Sequence, residues 1–268
     1  MQVFVGHEGA VNAGSFSMDG KWAVSAGSDG TLRVWAPKTG LSRHVFRLGG
    51  SDAYNNNGLA GGLTCLALRP QDNVCLVGSE SGMAYLCHLG TKKVVATLVH
   101  STPSSTSTNN NNMREEEGEE EGDAISVEAV GFAMPAVNPN WCATGGVDGA
   151  LKIWDLGHSN GGQCRQTCRV EDGSSGITRL QWHPTLPVVL CAYADGTIRV
   201  WDVRNAALLQ TLTGHSDMIN DMDFVVGAVG TTGNDNMVVV SGSDDQTARV
   251  FELNLSTLLQ QPQTAMRT

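Results

Sequence analysis

The sequence predicts an all-β protein built as a β-propeller, and three observations predict it. A turn-plus-strand segment recurs five times, as GSDGTLRVW (27–35), SESGMAYLC (79–87), GVDGALKIW (146–154), YADGTIRVW (193–201) and SDDQTARVF (243–251). Each copy follows an apolar run: WAVSA, VCLVG, WCATG, VVLCA or MVVVS. The copies end at Trp35, Cys87, Trp154, Trp201 and Phe251, with spacings of 52, 67, 47 and 50, and 67 becomes 44 once a 23-residue polar insert is removed. Such a period, with four short strands per unit, is what a propeller blade requires. No amphipathic helical pattern competes with it.

Taken in order, the apolar runs are second strands (b) and the repeated segments supply the b–c turn and third strand (c). First strands (a) are VNAGSFS, LTCLALR, VEAVGFA, ITRLQWH and INDMDFV, and fourth strands (d) are MQVFV, SRHVFRL, KVVATLV, QCRQTCRV and ALLQTLT. The units span about 1–37, 41–89, 92–157, 163–204 and 207–253, and together make one propeller domain over 1–253. Polar stretches at 51–62 and 101–124 fall between strands d and a, and 226–236 falls between a and b. Residues 101–124 read as an acidic disordered insert, since a Glu run beside an Asn/Ser/Thr tract buries too little apolar area to offset chain entropy. Residues 254–268 read as a polar tail.

The formal net charge of −10 is local. Seven acids against Arg114 lie within 101–123, leaving the other 245 residues near −4. A nearly balanced body offers no basic stripe for nucleic acid and no attraction to an acidic lipid surface. Seven cysteines, mostly in strand-like apolar surroundings, read as reduced core thiols. No secretory leader precedes MQVFVGHEG and no apolar run approaches ~20 residues, so the expected location is the cytoplasm, with the nucleus as a second compartment.

The turn-and-strand pattern resembles the WD-repeat family. The succession of an acidic insert, VEAVGF, GGVDGALKIWDL, GITRLQW, ADGTIRVWDVRNAALLQTLTGH and SGSDDQTARVFEL is similar to the C-terminal five repeats of the angio-associated migratory cell protein family, over Gly6 to about Leu253. The resemblance implies a WD-type propeller with five recognisable four-stranded blades, its d–a loops on a partner-binding face. It also implies a ribosome-assembly role, because that family includes a chaperone for a basic large-subunit ribosomal protein. Family members carry further repeats upstream of the position of Met1. Two expectations follow: the chain is a fragment of a larger seven- or eight-bladed ring, or MQVFV closes a small ring beside ARVFEL.

The resemblance also places structural tetrads. His7, Ser25, Asp29 and Trp35 form one, and His215, Ser241, Asp245 and Phe251 another. Thr144, Asp148 and Trp154, and Asp195 with Trp201, keep parts of the set without the histidine. Val77, Ser81 and Cys87 hold those places in the second unit, and blades lacking the set are expected to be looser. A Ser–His–Asp catalytic reading of His7, Ser25 and Asp29 fails because the arrangement recurs along one chain. Cys164 and Cys168, with His158 nearby, suggest zinc, but four strand residues set the sulfurs ~13 Å apart on one face, too far to share a metal. The Glu run lacks the alternating pattern of a calcium loop. GGL (61–63) and GSDG (27–30) precede no helix and are turns, not phosphate cradles. Asp217 and Asp221 read as solvated surface.

The expected function is therefore a non-catalytic interaction platform without cofactor, metal, small-molecule substrate, direct nucleic-acid or membrane contact. Its partner is a protein, expected to be a basic ribosomal-protein segment; the alternative is a general scaffold for signalling or ubiquitin-ligase complexes. Candidate contacts are Glu8, Glu80, Glu171, Asp172, Asp217 and Asp244, together with Glu115, Glu116, Glu117, Glu119, Glu120, Glu121 and Asp123. As a solvated linker the acidic run only joins strands; as bait it raises the local concentration of a basic ligand.

Overall fold

The computed structural model describes residues 2–48, 61–101, 125–158, 161–170, 175–227 and 236–260. Four antiparallel four-stranded sheets and one three-stranded sheet follow one another along the chain. Blade 1 is β1 (Val11–Phe16), β2 (Ala23–Gly27), β3 (Thr31–Trp35) and β4 (Ser42–Arg47). Blade 2 is β5 (Leu63–Leu68), β6 (Val74–Ser79), β7 (Met83–His88) and β8 (Lys93–Val99). Blade 3 is β9 (Val127–Phe132), β10 (Trp141–Gly146), β11 (Leu151–Asp155) and β12 (Gln163–Cys168). Blade 4 is β13 (Ile177–Trp182), β14 (Val188–Tyr193), β15 (Ile198–Asp202) and β16 (Ala207–Leu212). Blade 5 has β17 (Ile219–Val226), β18 (Asn236–Ser243) and β19 (Ala248–Asn254), after which the short helix α1 (Leu255–Gln260) begins.

Three expectations are corrected here. Among the described residues the fifth blade has three strands and residues 2–7 lie in no sheet, so the sheets do not close into a ring and the array is an open, partial propeller. The polar tail also begins with a helix, whose Leu255 is fully buried while Leu258 and Leu259 pack against the core between blades 4 and 5.

The middle strands are buried because both of their faces are covered. β6 and β14 are buried at every position, so they read as continuous apolar runs. Each gap between successive blades holds one apolar cluster; Val24 and Val34 meet Leu63 and Cys75 across the first, Leu76 and Leu86 meet Phe132 and Cys142 across the second. The first strands β1, β5, β9, β13 and β17 neighbour one another in chain order.

Two bulges recur and explain side-chain directions that simple alternation misses. One doubles a residue in each first strand: Asn12, Thr64, Glu128, Thr178 and Asn220 are the extra residues against the b strand. Three of them fasten one blade to the next. Asn12 donates to the Leu63 carbonyl at 2.8 Å, Thr64 to the Val127 carbonyl, and Thr178 to the Ile219 carbonyl at 2.6 Å. Glu128 occupies the corresponding place between blades 3 and 4, but a carboxylate has no hydrogen to give, and it accepts from the Ser126 hydroxyl instead. Glu128→Thr should supply the missing bond, worth about 1 kcal/mol, and raise the melting temperature by about 2–4 °C in a thermal scan.

The second bulge sits in each fourth strand, at Arg43, Val95, Arg165 and Leu209. It overturns the expectation that Cys164 and Cys168 share a face. The extra residue Arg165 inverts the alternation, so Cys168 is fully buried while Cys164 is exposed.

Candidate functional site

Each b–c turn is tied to the loop entering the next strand a. The amides of Ser28, Glu80, Val147, Ala194 and Asp244 donate to the carbonyls of Ala10, Gly62, Ser126, Gly176 and Met218 at 2.8–3.0 Å. This fivefold bond brings d–a loops and b–c turns to one end of the array. The rim so formed carries the candidate contacts.

Below the rim, the tetrads hold it in place. In blade 1, His7 Nδ1 lies 3.0 Å from Asp29 Oδ2, Nε2 lies 2.7 Å from Ser25 Oγ, and Trp35 Nε1 donates to Ser25 Oγ at 2.8 Å. One proton arrangement satisfies the chain: Nδ1–H donates to the carboxylate, the serine hydroxyl donates to Nε2, and the indole donates to the serine oxygen. Blade 5 repeats it, with His215 2.8 Å from both Ser241 Oγ and Asp245 Oδ2, and Phe251 in the indole position. In each blade these groups join a turn, a loop and two strands.

The expectation that blade 3 lacks its histidine is wrong. His100, fully buried at its side chain, lies 2.7 Å from Thr144 Oγ1 and 3.4 Å from Asp148 Oδ1, and Trp154 Nε1 donates to Thr144 Oγ1 at 2.9 Å. His100 precedes the acidic insert and so stands 27 residues before Val127 of the strand it serves, which hid it from a spacing argument. Its signal was local: it follows KVVATLV directly, as His7 and His215 follow VFVG and LTG.

Blade 4 has a different solution. Tyr193 stands where blade 1 has Gly27, at which a Cβ would come within 2.6 Å of His7 Nδ1. The tyrosine therefore takes the room of an imidazole, its hydroxyl accepting from Trp201 Nε1 at 3.3 Å, with Arg199 4.1 Å over its ring. Arg199 in turn donates to Asp195 Oδ2 at 2.7 Å. In blade 2, Ser81 Oγ lies 2.8 Å from Ser79 Oγ and also bonds the Tyr85 hydroxyl, and Val77 and Cys87 are fully buried. A fifth member, two residues after the aspartate, was missed: the hydroxyls of Thr31, Thr197 and Thr247 donate to Asp29, Asp195 and Asp245 at 2.6–2.7 Å. The recurring D-x-T in the turns is its sequence signal.

At the rim itself, Glu8, Glu80, Asp217 and Asp244 are exposed. None of the four makes an ion pair among the described residues. Their remaining bonds are local: Glu80 Oε2 accepts from the Gly62 amide at 2.7 Å, Asp217 from the Met218 amide at 2.8 Å, and Asp244 from Asn220 Nδ2 at 2.5 Å. Val147, 46% exposed, is an apolar rim residue that charge-based reading passed over. Asp221 pairs instead with Arg179 at 3.4 Å. Glu171, Asp172 and residues 115–123 lie outside the described residues, but the ends of the insert do not. The amides of His100 and Ser101 both donate to the Gly82 carbonyl, and Ser101 Oγ donates to the Ile125 carbonyl at 3.4 Å. The acidic insert therefore leaves and re-enters the body at the turn that bears Glu80.

No group of three or more metal-binding side chains occurs among the described residues. Six cysteines are buried, and burial pushes the thiols of Cys65, Cys87 and Cys168 up to about 12. They are apolar fillers, neither nucleophiles nor ligands.

The WD domain, G-beta repeat family model matches residues 1–36, 131–155, 162–202 and 206–252. The unmatched stretch contains the second blade, where the tetrad is lost. The chain is 33% identical to the angio-associated migratory cell protein of Homo sapiens over 253 residues, covering 93% of this chain and 50% of that protein. An uncharacterized WD repeat-containing protein of Schizosaccharomyces pombe is 29% identical, with 94% and 54% covered. The chain thus spans about half the length of the curated relatives it matches. Among solved structures, Sqt1 of Saccharomyces cerevisiae superposes with a TM-score of 0.69 at 18% identity, over 92% of this chain and 61% of that one. That likeness is one of fold.

Proposed function

From the premise that this chain belongs to the WD-repeat family, whose members serve as protein-interaction scaffolds, we propose that it shields a basic segment of a newly made large-subunit ribosomal protein. The observation that carries the reading is the rim: four exposed carboxylates without cationic partners, on rigid turns, with the acidic insert anchored beside one of them. Homology to the angio-associated migratory cell protein supports it. Unpaired rim acids raise the capture rate of a cationic chain, and a shape-matched rim then holds it. Such a partner is made in the cytoplasm, which is where the shield would act.

A synthetic Lys/Arg-rich peptide tests this. Binding by calorimetry should weaken at least tenfold between ~0.1 and ~0.5 M salt, and again on deletion of residues 109–123. A peptide bound equally at both salts, or not at all, by a folded chain refutes the electrostatic reading. The general-adaptor reading, with contacts centred on groups such as Val147, then takes its place.

A further inference from the structure

First strands neighbour one another from blade to blade and so line the inner side of the array. At one register they differ sharply. The residue after each first-strand bulge is Ala13, Cys65 or Ala129 in blades 1 to 3, but Arg179 and Asp221 in blades 4 and 5. The two charges meet: Arg179 Nε lies 3.4 Å from Asp221 Oδ1, while Arg179 Nη1 donates to the Thr178 carbonyl at 3.0 Å. Asp221 Oδ1 also accepts from the Met222 amide, and Oδ2 has no partner among the described residues. The pair is open to solvent, with the side chains 51% and 80% exposed.

A second carboxylate stands nearby. Beyond burial, which dominates, Glu128 raises the Cys65 thiol and Arg179 lowers it, so charges from blades 3 and 4 both reach one group of blade 2. Glu128 makes no ion pair among the described residues and holds the Ser126 hydroxyl at 2.5 Å. Its register is the one at which Asn12, Thr64 and Thr178 tie their blades to the next. A carboxylate there forgoes that tie. A local rule broken with no structural gain marks a place kept for function.

We propose that Arg179 is an internal competitor for the cationic partner: it holds Asp221 in the free chain, and an arginine of the basic segment displaces it to sit between Asp221 and Glu128. The inference rests on the shielding role proposed above and adds a selective step to it. Arg179 itself shows what the inner carboxylate accepts, a guanidinium. An exposed pair made through one nitrogen is weak and readily exchanged. An incoming guanidinium takes both oxygens of Asp221 as a fork, which Arg179, turned partly to its own backbone, does not. A lysine ammonium makes no such fork, so the exchange favours arginine-bearing segments.

Calorimetric titration of the whole chain with a synthetic Arg-rich peptide at ~0.1 M salt tests this. Arg179→Gln should tighten binding by about two- to fivefold, the strength of an exposed ion pair. Arg47→Gln measures the general effect of removing one charge, because Arg47 is exposed in β4 and pairs with no acid among the described residues. In an Asp221→Asn background, Arg179→Gln should gain no more than Arg47→Gln does. A Lys-rich peptide of equal length should gain less than the Arg-rich one, and an equal gain overturns the exchange by a fork. Circular dichroism should show Arg179→Gln melting within ~2 °C of the parent. A larger fall would make Arg179 a brace that no partner displaces, and overturns the proposal. So does a gain no greater than that of Arg47→Gln, or one that survives in full beside Asp221→Asn. If the parent chain binds and Arg179→Gln binds equally, the competitor is overturned while the shielding role stands. If neither chain binds, both fall.

Discussion

Asp29→Ala should lower the melting temperature by about 5–10 °C, whereas Ser81→Ala at the matching place in blade 2 should shift it by less than ~2 °C. The difference lies in what each side chain holds. The Asp29 carboxylate accepts from the Glu8 amide at 2.9 Å, the Thr31 amide at 3.0 Å, the Thr31 hydroxyl at 2.7 Å and His7. Truncation strands all of these donors beneath the rim, and hydrogen bonds to a charged group are worth about 1.5–3 kcal/mol. Ser81 Oγ serves two neutral hydroxyls, those of Ser79, which keeps its bond to the Met83 carbonyl at 3.0 Å, and of Tyr85, which also bonds Ser79. Asp245→Ala should behave as Asp29→Ala does, since Asp245 accepts from Thr247, His215 and the Ser216 amide. Equal shifts for Asp29→Ala and Ser81→Ala in one scanning series would refute the ranking.

The same bonds set the response to acid. Burial alone raises the Asp29 carboxyl, but the bonds from Glu8, Thr31 and His7 outweigh it and hold the group well below the usual carboxylate range. The Thr247 hydroxyl, with His215 and two amides, does the same for Asp245. A folded pKa below the unfolded value of about 3.9 gives stability that is full above that pH and is lost as pH falls beneath it. Asp29→Asn should therefore flatten the acid limb of the melting profile below about pH 4 and leave the slope near neutrality unchanged.

The fold was legible because its evidence is periodic. Turn glycines in four of the five units, apolar second strands in all five, and a Trp or Phe closing four of the five repeats recur at spacings that tertiary context does not alter. Departures arose where the period is broken locally. Arg165 adds one residue to a strand, and that is enough to send Cys164 to solvent and Cys168 to the core. Tyr193 replaces both a glycine and a distant histidine by bulk and a hydroxyl, a substitution that matching position by position cannot recognise. At the candidate site, composition marked the carboxylates, but not which are spent on their own turns: Asp195 is paired with Arg199 and Asp221 with Arg179, while Glu8 and Glu80 face solvent unpaired.

His100 shows how far an insertion can be separated from the structure it interrupts. His100→Ala should cost about 3–4 kcal/mol, close to the loss expected for His7→Ala, because it empties a fully buried site and removes the imidazole's bonds to Thr144 and Asp148, although Asp148 keeps the Ala150 amide and Arg169. The melting temperature should drop by about 6–15 °C. Shortening the insert by deletion of residues 105–121 should have the opposite sign and a far smaller size. The chain ends that it joins are already fixed by the bonds of His100 and Ser101 to Gly82 and of Ser101 to Ile125, so only the closure entropy changes, by about 1 kcal/mol or less. The pair of variants separates two adjacent stretches of chain: His100, which clamps blade 3, and the acidic insert beyond it, which the proposed function assigns to a partner. A deletion that destabilised the protein as much as His100→Ala would show that the insert is part of the blade and would remove it as a separable element of the rim.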